Sequence, residues 1–392
     1  MATKTIWKDP LAIVGSRVNA LRQQSRIRKE RVTLQDITFV GMDAHKLSIK
    51  AAVLYPGRSE SVMLEIPNEK AAIRRMVRKI EREAPGAVRY CYEAGPCGYA
   101  LQRQIEGCEV VAPSLIPVKA GDRIKTDRRD ARKLAELFRA GLLTIVTPPS
   151  TEDEAVRDLM RAREDAKGDH QRCRNRIASL LLRRGLSYSD TRAWTNAHRA
   201  WLKSQRFTHA ADQAMFDDYL LALEQVEERL RGLDDHVELV AQSERYARPV
   251  GWLRCFRGID TISAVSILAE IHDFARFQTA RAFMAYLGLV PSEYSSGQRS
   301  KRGPITRAGN RHVRRLLVEA SWHYRHRPTV KALAKRRKGQ PAAVIAVADK
   351  AQQRLNRRYH RMLAKGLPAP KIVVAIAREL SGFLWAAMKH TA

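Results

Sequence analysis

The chain has 392 residues, with 71 Lys and Arg against 41 Asp and Glu and a formal net charge of +30. Hydrophobic residues make up 45%, enough for real cores, which excludes wholesale disorder, and no apolar run reaches the roughly 20 residues of a membrane span. A charge of +30 repels itself unless a polyanion is present, so nucleic acid, gripped first through its phosphates, is the expected partner.

A membrane surface would attract the same charge, but no long amphipathic helix sets a clean basic face beside a bulky apolar one. The N-terminus lacks a sustained apolar stretch followed by a small-residue cleavage site, so no signal peptide is expected. Cys91, Cys97, Cys108, Cys173 and Cys255 are scattered, with no CxxC pair. That argues against a zinc site or disulfide framework and for reduced thiols in a cytoplasmic, nucleoid-associated protein.

Residues 1–36 are basic and weakly patterned and read as an arm. From residue 37 the pattern is α/β. "ITFVGMD" (37–43) predicts a buried strand ending on a carboxylate, and "SIKAAVLY" (48–55) and "SVMLEI" (61–66) two more, joined by the turn "PGRSE". An amphipathic helix is predicted over 68–83, a strand over 87–93 that again ends on a carboxylate, a short helix in "GYALQRQIEG", and a short strand over 109–112. Three hairpin-compatible strands followed by a helix and more strands fit a ribonuclease H-like, RuvC-like layout over 37–147.

"TPPSTEDE" (147–154) marks a domain boundary and a helix start at Ser150 or Thr151. Two long helical segments follow within 148–247. In the second, Tyr219, Leu223, Val226, Leu230, Leu233, Val237 and Val240 alternate in steps of four and three, the a/d seam of a coiled coil. In the first, Val156, Leu159, Arg163, Ala166, His170, Cys173, Ile177 and Leu180 do the same. The seams predict an antiparallel hairpin within the chain, or one that also pairs between subunits. Residues 248–392 read as a mainly helical unit. Its "RGIDTISA" resembles a helix-hairpin-helix turn, its 295–315 segment is a polar, basic loop, and its last two helices are split by "GLPAP".

The segment "KTDRRDARKLAELFRAG" (125–141) carries the chemistry. On a helix, Asp127, Asp130, Ala131, Leu134 and Phe138 share one side, so two aspartates extend an apolar, inward stripe. Carboxylates turned into a domain are costly unless neutralised. Asp43 and Glu93 stand where strands end, which is where α/β folds place sites. Four converging carboxylates without His or Cys partners favour Mg²⁺ or Mn²⁺, and His45 reads as a structural or surface histidine. Two such ions would clamp the oxygens of a phosphodiester. Lys125, Arg299, Lys301, Arg302 and Arg307 are candidate phosphate contacts, and Asn310 a candidate cap.

"FVGMDAHK", "YEAG", "KTDRRDA" and "YLGLVPSEYSSGQRSKRGPITRAGNRHVRRLLVEA" together resemble the DEDD transposases of insertion sequence family 110, in particular its 1111 subgroup, as does the tail after Lys350. The resemblance covers roughly residues 37–390. It implies that Asp43, Glu93, Asp127 and Asp130 form the catalytic, metal-holding set of a RuvC-like domain. It implies that a serine of the "SG" motif in the C-terminal domain is a nucleophile, mapped onto Ser296 with Ser295 as the alternative. It further implies DNA as donor and target, a structured guide RNA encoded by the element, and a dimer or tetramer. The basic arm before residue 37 is longer than the family pattern. The competing reading is a metal-only junction resolvase or structure-specific nuclease in which Ser296 is structural.

Overall fold

The computed structural model describes residues 36–118, 126–189, 192–296, 299–329 and 331–389. The arm, apart from Asp36, and Lys125 lie outside these residues. Between Pro148 and Pro149 the chain divides into two compact units.

The first unit is built on a six-stranded mixed sheet in the order β3-β2-β1-β4-β5-β6. Its strands are β1 (Thr38–Ala44), β2 (Ser48–Leu54), β3 (Val62–Pro67), β4 (Val88–Glu93), β5 (Glu109–Val111) and β6 (Ile145–Val146). β1, β2 and β3 are antiparallel neighbours, β4 runs parallel to β1 and β5 parallel to β4, and β6 closes the edge antiparallel. This fits a ribonuclease H-like sheet. Alternation along each strand decides what each face holds. Val40, Met42, Ile49, Ala51, Tyr90 and Tyr92 pack on Ile73, Met76 and Ile80 of α1 (Lys70–Glu83). Phe39, Cys91 and Val111 meet Leu134 and Phe138 of α2 (Asp127–Arg139) on the other face, where Ala52 and Leu54 also meet Ala131 and Ala135. The short helix expected in "GYALQRQIEG" is instead a run of turns, entered and left through the left-handed glycines Gly98 and Gly107. It is held down by buried Leu101 and Ile105.

In the second unit, α3 (Thr151–Arg183) starts where the sequence places it: Ser150 caps the Asp153 amide and donates in turn to the Asp153 carboxylate. After α4 (Asn196–Ser204), α5 (Ala210–Gln242) returns antiparallel along α3 in the same chain. The cross-helix ion pairs fix the direction, since Arg163 meets Asp234, His170 meets Glu227 and Arg184 meets Asp212. The two polar members of the first seam, Arg163 and His170, are thus each paired with a carboxylate.

The rest of the unit is mostly helical: α6 (Glu244–Arg254), α7 (Thr261–Ile271), α8 (Ala280–Tyr286), α9 (Arg311–Ser321), α10 (Ala334–Arg337), α11 (Ala342–Ala364) and α12 (Ala369–Lys389). All of these except α10 share one core with the ends of α3 and α5. In the "RGIDTISA" turn, Gly258 is left-handed and a Cβ there would come within 2.5 Å of the Ala320 carbonyl oxygen. The Asp260 carboxylate accepts from the Ser263 amide and so caps α7. Part of the 295–315 segment read from sequence as loop instead belongs to an antiparallel hairpin of β7 (Pro291–Ser296) and β8 (Arg299–Ile305). Exposed polar side chains on both faces hid its alternation, because no apolar face marks it.

Candidate active site

Asp43 is the next-to-last residue of β1. Its cross-strand neighbour on β2 is Lys50, and the last pair with β4 is Met42 with Tyr92, so Asp43 and Glu93 end adjacent parallel strands at one level. Met42, Tyr92, Ile49 and Ala51 fill the α1 face. Alternation therefore sends Asp43, Lys50 and Glu93 out on the α2 face.

α2 delivers the remaining acids. Thr126 caps it by accepting from the Arg129 amide, which places Asp127 and Asp130 in the first turn, where negative charge suits the helix dipole. Its apolar stripe of Ala131, Leu134, Ala135 and Phe138 is buried against the sheet. Gly41 sets how closely the helix lies. A Cβ there would stand 2.3 Å from the Ala135 amide nitrogen and 2.5 Å from the Ala131 carbonyl oxygen. Without that atom the α2 backbone rests directly on β1, two residues before Asp43, and its first turn overhangs the strand end.

Three side chains converge as a result. Asp43, His45 and Asp127 each offer a ligand atom within 4.8 Å of the others. His45 Nε2 lies 3.3 Å from Asp43 Oδ2 and 3.6 Å from Asp127 Oδ1. Lys50 Nζ donates to Asp127 Oδ2 at 2.8 Å. Burial pushes the Asp43 carboxyl above its usual range, opposed by His45 and reinforced by the like charges of Asp127 and Asp130. The Lys50 ammonium holds Asp127 below its usual range. Asp130 is thus close enough to act on Asp43, while Glu93 is placed by strand register and is not one of the three residues whose ligand atoms meet. His45 is exposed, as a surface histidine would be, yet its ring nitrogen also reaches the cluster. Parity with Asp43 was its signal: residues 43 and 45 share a face as long as β1 stays extended. Lys50 carried no such signal, because its place opposite Asp43 depends on the β1–β2 register.

The serines stand in the second unit. On β7, Ser295 pairs with Ser300 and Ser296 with Arg299, and Ser295 Oγ donates to Glu293 Oε1 at 2.8 Å. Ser296 is exposed and shares a face with Tyr294 and, across the pair, Lys301; Arg302 goes with Glu293 on the other. The foot of the hairpin is tightly held. Gly288 and Gly309 are both left-handed, and a Cβ at Gly309 would come 1.9 Å from the Tyr286 carbonyl oxygen. Asn310 caps α9 through Oδ1 and donates from Nδ2 to Glu270 at 2.8 Å. Arg314 donates to the carbonyls of Leu287 and Ala308. Arg307, exposed and itself left-handed, sits at that foot.

A mixed sheet that gathers carboxylates at its strand ends, in so basic a chain, defines an α/β enzyme domain acting on nucleic acid. Comparison with known proteins narrows the class. A transposase model of the IS110 DEDD type matches residues 40–184, and the transposase IS116/IS110/IS902 family model matches residues 252–335. A putative transposase, y4qE, of Sinorhizobium fredii (strain NBRC 101917 / NGR234) is 42% identical over 355 residues, 89% of this chain and 87% of the relative. The transposase for insertion sequence element IS1533 of Leptospira borgpetersenii is 35% identical over 83% of this chain and 97% of its own length. That for IS1111A of Coxiella burnetii is 24% identical over 84% and 92%. The chain belongs to the IS110 family of DEDD transposases, enzymes that act on DNA. Its acidic cluster suits a divalent metal, because the charge of a cation would relieve the burial and like-charge repulsion that raise Asp43. Among the described residues no helix is long and apolar enough to cross a membrane, and all five cysteines are free.

Proposed function

We propose that the protein is an insertion-sequence recombinase that exchanges DNA strands through a phosphoserine link, directed by a structured RNA from its own element. The observation that carries this reading is the convergence of Asp43 and Asp127 under the first turn of α2. Asp43, Glu93, Asp127 and Asp130 are the metal-holding set, and the metal is Mg²⁺ or Mn²⁺, in keeping with a site dominated by hard oxygen donors. When bound, it supplies positive charge to oxygens that gain charge as a phosphodiester opens.

The chain's own groups do the rest. Ser296 Oγ forms a bond to phosphorus as the P–O3′ bond breaks; the hydroxyl proton passes to solvent and the departing oxygen takes one up as a 3′-OH. Attack by a new 3′-OH on the phosphoserine restores a diester and frees the serine, so the bond energy is kept and no ATP is required. Lys125, Arg299, Lys301, Arg302 and Arg307 hold phosphates near the serine or the acids. Subunits pair as a dimer or tetramer through the α3–α5 hairpin.

One observation favours Ser295 as nucleophile instead, the hydrogen bond that orients its hydroxyl toward a carboxylate, Glu293. The test is a denaturing gel of protein incubated with element-end DNA and Mg²⁺, with peptide mass spectrometry of any adduct. The adduct is expected on Ser296 and lost in Ser296→Ala, and strand exchange is expected to vanish in Ser296→Ala and in Asp43→Asn. Strand exchange at the native rate in both Ser296→Ala and Ser295→Ala would leave the metal-only nuclease standing. Sequencing of co-purifying RNA tests the guide: a transcript from the element's flanks is expected, and random cellular RNA argues against it.

A further inference from the structure

α11 carries a basic cleft that neither the acidic cluster nor the serine hairpin uses. The cleft, about 280 Å³, is lined by Lys350, Gln353, Arg354, Arg357, Arg358 and Arg361, with no apolar or aromatic side chain among them. These positions recur at intervals of three and four, so they stand on one face of one helix. All but Arg358 are exposed. The face is built rather than merely solvated. Glu379 of α12 accepts from Arg354 Nε at 2.9 Å and pairs with Arg358 as well, and its own side chain is only 13% exposed. One carboxylate under five cations fixes two guanidiniums and leaves the face strongly positive. Asp349 does not dilute it, because that carboxylate is taken by Arg337. The buried Arg358 Nε has no partner among the described residues.

We infer that this face of α11 is a docking surface for the sugar–phosphate backbone of duplex DNA. Three features select that occupant. Eleven residues separate Lys350 from Arg361, about 16 Å at roughly 1.5 Å per residue, long enough to follow several phosphates of a duplex that carries one charge per about 1.7 Å of its axis. The lining offers no aromatic ring on which unpaired bases could stack, which disfavours a single strand. Gln353 is its only side-chain acceptor, which offers little to the 2′-hydroxyls that mark RNA. Guanidiniums fixed from below grip phosphates and read no bases, so the surface positions DNA without choosing its sequence. The inference rests on membership of a DNA transposase family and not on the serine reading.

The test is fluorescence anisotropy of the full chain with a 30-bp DNA duplex of unrelated sequence, a 30-nucleotide single strand and a hairpin RNA, over 50–300 mM NaCl. The variant is Lys350→Ala/Arg357→Ala/Arg361→Ala, which leaves the Glu379 pairs intact. The control, Arg74→Ala/Arg75→Ala/Arg78→Ala, removes the same charge from the exposed face of α1. The groove variant is expected to bind duplex at least tenfold more weakly than the control and to lose about 2–3 from the slope of log K against log salt. Its thermal midpoint should match that of the parent. Equal affinity and slope in the two triple variants would overturn the inference, as would a loss confined to the RNA or the single strand. If the groove variant proves unstable, Arg357→Lys/Arg361→Lys keeps the charge and should keep the salt slope; a slope lost in that variant also counts against the inference. No cleavage is read, so failure of the phosphoserine reading would leave these results unchanged.

Discussion

Two neighbours of Asp127 would act on a bound metal in opposite ways. His45 Nε2 offers a further ligand atom beside Asp43 and Asp127, whereas the Lys50 ammonium already holds Asp127 Oδ2 and would repel a cation bound there. Their substitutions should therefore move metal affinity in opposite directions. Titration calorimetry with Mn²⁺ is expected to show His45→Ala binding about tenfold more weakly, as for the loss of a ligand or its orienting partner. Lys50→Met should bind about tenfold more tightly, through removal of a repelling charge. Movement of both variants in the same direction would mean that the three-residue cluster is not where the metal sits. At this scale the sequence announced the acids better than their partners. Asp43 and Glu93 close apolar runs, and Asp127 and Asp130 share one side of a helix, so their positions follow from local periodicity. The contact of Lys50 with Asp127 joins residues 77 apart through a hairpin register and a helix crossing, which no local pattern encodes.

Among the elements, α2 illustrates the same divide. Its capping Thr126 and its apolar stripe are plain in the sequence, but its height above the sheet is set by the missing side chain of Gly41, some ninety residues earlier. Gly41→Ala would force the helix backbone off β1 or bend the strand, because backbone atoms and not flexible side chains stand 2.3 and 2.5 Å from the new Cβ. It should cost about 2 kcal/mol, the usual scale for overpacking, and reduce strand exchange by a larger factor than the stability loss alone explains. Denaturant midpoints alongside activity at low temperature would separate the two effects. The hairpin of β7 and β8 escaped sequence reading for a different reason: with both faces polar it has no period-two signal, and its identity rests on pairing and on glycines at its foot. At the start of α3, burial pushes the Asp153 carboxyl up, but hydrogen bonds from Arg245, Tyr246 and Ser150 together hold it below its ordinary 3.8. A depressed pKa adds stability above that value, lost as pH falls through the lower folded-state pKa. Asp153→Asn should thus lower the thermal midpoint at pH 7, and the gap from the parent should close as pH falls below the ordinary 3.8. A gap independent of pH would assign the loss to packing instead.

For the molecule as a whole, the dominant fact is a net charge of +30 distributed along the entire chain. Ion pairs among the described residues are mostly exposed or half-exposed, and such pairs contribute little each. Salt therefore acts on two opposed quantities, weakening those pairs and screening the repulsion among excess cations. At about 10 Å, the screening length in 0.1 M salt, repulsion summed over many cations outweighs the weak, short pairs. The nucleic-acid-free protein should accordingly become more stable as NaCl rises from 20 to 300 mM, the reverse of what ion-pair stabilisation would give. Added duplex DNA should raise the thermal midpoint at low salt by neutralising the same charge, and do so less as salt rises, because each counterion released into a richer bath gains less entropy. Differential scanning fluorimetry across a salt series, with and without duplex, measures both trends. A midpoint that falls with salt in the absence of DNA would show that the excess charge is already balanced within the fold, and the case for a polyanion as a structural partner would then rest on the family alone.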